Sequence, residues 1–249
     1  MPPTYRIRPG LFSDVNAASM LYLQSFAKEP LLDYMFPNRH VDPTTFNTWL
    51  IRRFWMRYWT PGYVLTMLDA CGEDGKVEPV GFTWWHRPVE SFSFRERWLS
   101  PRMFSVPAPI IPIPLTRPRQ DAWIAPLMRS FLKLQSYFFP IPSVDPQRIT
   151  IYDRVFSTLE ASILNSPRRR SAWYLSSLGV SPDAQGNGIG SLLLQDGLRE
   201  ADRAGVLTWL VGLRGLDAFY SRFGYVEVAR ANVGELKDWD GGIVMFRGE

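Results

Sequence analysis

Sulfur and imidazole are scarce in this chain, which holds one cysteine, Cys71, and two histidines among 249 residues. A single thiol excludes an internal disulfide framework and suits a reducing compartment. Cys71 reads as a small residue at the end of a strand, not as a nucleophile. Two histidines and one cysteine form no cluster with metal-ligand spacing, so no metal centre is expected. No run of eighteen apolar residues is available to cross a bilayer. The opening Met1-Pro2-Pro3-Thr4-Tyr5-Arg6 lacks a charged-then-apolar leader, and a cytoplasmic location without membrane attachment is expected. Excess charge is also small. A net +4 helps to attract an anion but is no nucleic-acid signature.

Glycine, by contrast, is concentrated where it can do chemistry. The apolar run Trp173 to Val180 carries strand-formers and ends before Pro182, which cannot continue a ladder. Gln185-Gly186-Asn187-Gly188-Ile189-Gly190 follows, and from Ser191 a helical pattern runs to Gly205. Strand, glycine-rich turn and helix bring backbone N–H groups and the positive end of a helix onto a phosphate. Glycine lets the backbone approach the anion with no Cβ in the way. The mononucleotide P-loop is excluded, because no Lys-Ser/Thr pair follows the last glycine. The dinucleotide fingerprint needs wider glycine spacing and an acidic residue after a second strand.

Gln185, Gly188 and Gly190 satisfy the pattern Gln/Arg-x-x-Gly-x-Gly/Ala, and the stretch resembles the acyl-CoA pyrophosphate loop of the general N-acetyltransferase (GNAT) superfamily. About thirty residues on, Ala218-Phe219-Tyr220-Ser221-Arg222-Phe223-Gly224-Tyr225 resembles the second hallmark of that family, a tyrosine four residues before a Gly-aromatic pair. Two motifs in the right order carry far more weight than a lone glycine motif.

The rest of the chain fits the same order of elements. Tyr5 to Arg8 reads as a strand. Ser13 or Asp14 caps a helix with Ala18, Leu21, Tyr22 and Phe26 on one side. Asp42-Pro43 starts a helix bearing Phe46, Trp49, Leu50 and Phe54, and Pro61-Gly62 ends it. Residues 63–87 read as a hairpin, with strands Tyr63 to Leu68 and Val80 to Trp85 around the turn Glu73-Asp74-Gly75-Lys76. Residues 88–170 then intervene before the next strand, with 12 of the 21 prolines, six of them between Pro101 and Pro118. Proline at that density prevents regular helix, while the interleaved Ile110, Ile111, Ile113 and Leu115 argue for packing against the body. Gln120 to Phe139 and Asp145 to Asn165 read as helices, the second with Ile149, Tyr152, Phe156, Leu159 and Ile163 on one stripe. The expected architecture is α/β: one GNAT domain over 1–249, a mixed twisted sheet flanked by helices, with a helical, proline-rich insertion at 88–170 between the third and fourth core strands.

The resemblance implies acetyl transfer from acetyl-CoA to a primary amine by direct attack. A small-molecule acceptor is favoured. The alternatives are a protein-lysine or N-terminal acetyltransferase and a non-catalytic acyl-CoA-binding module. It places the backbone of Leu178, Gly179 and Val180 on the cofactor arm, and Gln185, Gly186, Asn187, Gly188, Ile189, Gly190 and Ser191 on the pyrophosphate. Tyr220 matches the tyrosine that protonates the leaving thiolate, and a phenol of pKa ~10 suits that task. With that pKa, Tyr220 would set the high-pH limb of the rate profile. Aligning on Gln185 puts Tyr174 where many relatives carry a glutamate base, and Leu213 where many carry asparagine. Glu29 is therefore the candidate base in the acceptor region, beside Asp33, His86 and ordered water. Trp84, Trp85 and Trp98 are candidates to line an acceptor pocket, although adjacent strand residues face opposite ways. Arg168-Arg169-Arg170 reads as a solvated loop run that could otherwise meet a phosphate.

Overall fold

The computed structural model describes residues 4–72, 75–88, 124–141 and 144–249. Strands β1 (Thr4–Pro9), β2 (Tyr63–Cys71) and β3 (Val77–His86) pair antiparallel in sequence order. The hairpin is therefore longer at both strands than the apolar alternation indicates. With β4 (Trp173–Val180), β5 (Thr208–Gly212), β6 (Val226–Arg230) and β7 (Ile243–Arg247) the strands form a mixed sheet of order β1-β2-β3-β4-β5-β7-β6.

Its centre is split. The parallel β4–β5 ladder runs from Trp173–Thr208 to Leu175–Leu210 and stops, while β4 continues beside β3 to Val180. Across β3, Trp84 faces Ser177 and Trp85 faces Leu175, so Ser176 is an extra, bulged residue. A bulge bends its strand and increases the local twist, which turns the second half of β4 away from β5.

One face of the sheet carries α1 (Val15–Ser25) and α3 (Pro43–Trp59), with the short α2 (Pro30–Met35) between them. The α3 helix starts on Asp42, which accepts from Thr45 N at 3.2 Å, with Pro43 in the first turn. It buries Phe46, Leu50, Phe54 and Tyr58, one per turn, and Phe54, Leu50 and Tyr58 pack with Leu65, Met67, Phe82 and Trp84 of the sheet. Asp14 precedes α1 as expected, but its carboxylate does not cap the helix. It binds Arg8 Nη1 at 2.6 Å and Leu11 N at 2.7 Å instead.

Between β3 and β4 lie α4 (Ile124–Phe138), α5 (Pro146–Ile149), α6 (Ile151–Ile163) and α7 (Pro167–Arg170). The single helix expected over 145–165 is broken at Thr150, whose hydroxyl bonds back to Pro146 O at 2.9 Å. Ile151, Val155 and Ile163 of α6 join Trp209, Trp239 and Phe246 in one buried cluster. Arg168 and Arg170 are exposed, as a solvated run would be, but the stretch is helical and not a loop. It forms α7, with Arg169 bound to Glu249 and Ile163 O and lying over the Phe246 ring. The proline-rich stretch 101–118 and Trp98 lie outside the described residues.

The other face of the sheet carries α8 (Ile189–Arg203), which buries Leu193, Leu194, Gly197, Leu198 and Ala201. A side chain at Gly197 would overlap the Trp85 indole, so glycine here sets how closely helix and sheet approach. Helix α9 (Asp217–Ser221) lies between β5 and β6 in sequence.

Candidate active site

Two residues with left-handed backbone shape the turn before α8. Gly186 has φ +81 and Gly188, the residue preceding the helix, has φ +76. Only glycine adopts this freely, and no atom lies within 4 Å of where a Cβ would stand at either position. The helix's first intrahelical bond to this turn is Leu192 N to Gly188 O, at 3.1 Å. The N–H groups of Ile189, Gly190 and Ser191 therefore precede the helical ladder, as first-turn amides do, and are available to an anion. Gln185 and Asn187 hold the turn: Gln185 Nε2 donates to Val180 O at 3.2 Å, and Asn187 Nδ2 donates to Ala184 O at 3.2 Å. Val180 O also accepts from Ser25 Oγ of α1 at 2.9 Å. Gly179 has no room for a side chain, which would press on Phe82 and Ser25.

Below the turn, the split between β4 and β5 opens into a cavity of about 240 Å³. Leu178 and Tyr220 line it together with Glu29, although 191 residues separate Glu29 from Tyr220 in the chain. A Cβ on Gly190 would sit 3.7 Å from both Leu178 Cδ2 and Phe219 Cζ, so the glycine turn, β4 and α9 meet at one place. Glu29 precedes α2 as its N-cap. Its Oε1 accepts from Leu31 N at 3.2 Å and from Trp239 Nε1 at 2.8 Å. Burial raises the proton affinity of this carboxyl, and those two donors partly offset the rise. Tyr220 is buried, and desolvation, with a smaller contribution from Tyr174, pushes its hydroxyl far above the ordinary phenol range.

Residues 151–227 match the family described as acetyltransferase (GNAT) domain. Over this stretch the chain is similar to a GNAT acetyltransferase domain. Its fold is similar to that of a histone acetyltransferase HPA2 and related acetyltransferase from Corynebacterium glutamicum, at 16% identity and TM-score 0.55 over 99% of this chain and 96% of the other. A GCN5-related N-acetyltransferase from Rhodopseudomonas palustris matches at 14% identity and TM-score 0.47, over 100% and 98% of the two chains.

Several side chains singled out in the sequence lie away from the cavity. Trp84 and Trp85 do face opposite sides, but both are buried in packing, Trp84 against Phe54 with ring centroids 5.8 Å apart and Trp85 against α8. Asp33 pairs with Arg39 at 2.6 Å and with His40 at 3.1 Å, and the Arg39 guanidinium holds its carboxyl below the ordinary range. His86 pairs across the hairpin with Tyr63, their rings 4.5 Å apart. None of the four is among the cavity-lining residues. Tyr174 and Leu213, which occupy the positions of the family glutamate and asparagine, do line it. Tyr174 OH lies 3.4 Å from Tyr152 OH, and burial raises both phenols, so neither is a base near neutral pH. Arg53, Arg57, Tyr63, Tyr152 and Trp239 are among the residues that line the cavity without having been expected there. For the two arginines a signal existed, since Arg53 and Arg57 are four apart on a helix whose other face is aromatic.

Proposed function

We propose that this GNAT domain transfers the acetyl group of acetyl-CoA to the primary amine of a small molecule by direct attack. One observation carries the reading: Glu29, Leu178 and Tyr220 line a single small cavity at the open end of the β4–β5 ladder. The turn residues fit the co-substrate. Gln185 to Ser191 offer open space beside Gly186 and Gly188 and first-turn amides for a pyrophosphate, and the edge of Leu178, Gly179 and Val180 that has lost β5 offers backbone groups to an extended amide-bearing arm.

Bound acetyl-CoA supplies an activated thioester. Glu29 takes the proton that the incoming ammonium must lose, directly or through water. Its raised proton affinity brings it nearer to the operating pH than an ordinary carboxylate. The amine nitrogen bonds to the acetyl carbon as the C–S bond breaks, and the second proton that the nitrogen sheds passes through water to restore the Tyr220 hydroxyl. Tyr220 O–H gives its proton to the departing thiolate, and burial keeps that hydroxyl protonated for the task. The described residues of the 88–170 insertion shape the acceptor side. Ile149 of α5 and Tyr152 and Asp153 of α6 line the cavity. The small volume favours a small acceptor over a lysine presented by a folded protein.

The test is release of free CoA thiol from acetyl-CoA, measured across matched panels of small amines and lysine peptides. Turnover with small amines, at higher kcat/KM than with any peptide, is expected. Release with peptides alone would overturn the small-molecule reading, and binding of CoA without release would overturn catalysis.

A further inference from the structure

Several half-buried or buried arginines among the described residues are paired with carboxylates, while Arg52 and Arg129 donate to the backbone carbonyls of Phe139 and Trp59. Arg8 binds Asp14 and Asp69, Arg39 binds Asp33, and Arg169 and Arg247 bind Glu249 and Asp202. Arg57 is the contrast. It is half-buried on α3 and lines the cavity, yet no carboxylate of the described residues forms an ion pair with it. Its guanidinium lies 5.2 Å from the Phe54 and Tyr63 ring centroids and 5.8 Å from that of Trp84. Those contacts serve its faces. Of the five N–H donors of a guanidinium, one is given a protein acceptor, Ser177 Oγ, at 3.3 Å. Arg53, one turn earlier, also lines the cavity, resting over Trp49 at 5.2 Å, and it too forms no ion pair among the described residues. Desolvation disfavours the Arg57 cation, and the neighbouring Arg53 charge adds to that. Holding a desolvated cation without a counter-charge is costly, and the cost is relieved when a ligand brings the missing anion.

We infer that the acceptor is an amino acid with an apolar or aromatic side chain, its carboxylate held by Arg57 with Arg53 and its amine presented to Glu29. The inference rests on the acetyl-transfer reading and narrows its substrate class. A guanidinium matches a planar carboxylate through two parallel N–H···O bonds, which a primary amide cannot reproduce. Glu29 supplies the opposite charge in the same cavity, so the two ends of a zwitterion meet complementary groups. Tyr22, Trp49, Tyr152 and Tyr174 surround the space between with rings suited to an apolar side chain.

The test is calorimetric binding of L-phenylalanine, L-leucine and L-methionine, each compared with its primary amide, to the wild type and to Arg57→Met. The CoA-release assay is run on the same pairs. For at least one pair, the acid should bind roughly 10- to 100-fold tighter than the amide, the worth of a charge-assisted pair, and Arg57→Met should close that gap. Arg57→Lys should restore part of it. Amides that bind as well as acids, an acid preference that survives Arg57→Met, or no binding by any acid would overturn the inference. Should Arg57→Met not fold, the acid-against-amide comparison in the wild type decides alone. The two readings separate cleanly. Amines acetylated without regard to a carboxylate sink the anion site and leave acetyl transfer standing, whereas acids bound without CoA release do the reverse.

Discussion

Trp239 Nε1 donates to Glu29 Oε1 at 2.8 Å, joining residues 210 positions apart. The indole is buried, and its N–H finds its partner on the carboxylate that also caps α2. The hydrogen bond favours the ionised form of Glu29 against the burial that disfavours it.

Trp239→Phe should therefore shift the acid limb of kcat/KM to higher pH. On the proposed mechanism Glu29 works as a base when ionised, so activity falls as pH drops through its raised pKa. Removing the donor raises that pKa further. Glu29→Gln should abolish the limb and lower turnover roughly 10²–10⁴-fold. Rate profiles of the three proteins check this, and a limb unmoved in both variants would remove Glu29 from the chemistry.

Tyr220→Phe keeps the ring packing and deletes the hydroxyl proposed to donate the proton. Turnover should fall by roughly 10²–10⁴ at every pH, with CoA affinity and melting temperature little changed. From an ordinary phenol one expects the high-pH limb to move as well. Burial shifts the Tyr220 hydroxyl so far up that it stays protonated, so no limb below about pH 10 should belong to it. Stopped assays at matched pH, with one acceptor, test both parts.

Gly188→Glu should reduce CoA binding below calorimetric detection. It forces a side chain into left-handed backbone and sets a negative charge beside the first-turn amides. Gly188→Ala carries the backbone strain alone, about 1–2 kcal/mol. It should weaken CoA binding far less than the glutamate does. Unchanged affinity in Gly188→Glu would place the pyrophosphate elsewhere.

Gly197→Ala should destabilise the fold by roughly 1–3 kcal/mol, the usual cost of overpacking, because the new Cβ displaces Trp85. Thermal melts read this directly. Gly186→Ala, which meets no neighbouring atom, should report backbone strain only.

Local signals carried much of this architecture. The strand, the glycine turn and α8 are contiguous, and their punctuation by Pro182, Gly188 and Gly205 is written in adjacent residues. Asp42-Pro43 announced α3 in the same way. Glu29-Pro30 has the same cap-and-proline form, yet α2 is so short that the stretch reads as loop. The break at Thr150 was hidden because the apolar stripe continues across it. What the sequence could not show is mostly long-range: the indole of Trp239 on Glu29, Tyr152 beside Tyr174, and the burial that separates Tyr220 from an ordinary phenol. Nor does any local pattern reveal that Arg57 is left without a carboxylate while Arg39 and Arg169 find theirs. Tyr174 and Leu213, which depart from the family pattern, point away from the usual base. The cavity turns attention to a carboxylate from the other end of the chain.

The carbonyl of Val180 accepts from Gln185 Nε2 and shares the Ser25 hydroxyl proton with Leu21 O, the nearer acceptor at 2.6 Å. Ser25 ends the helix that leads, four residues later, to Glu29, and Gln185 begins the turn that leads to the amides of α8. One oxygen thus ties the end of α1 to the start of the glycine turn. On the proposed mechanism, that shared atom couples the position of Glu29 to that of the first-turn amides.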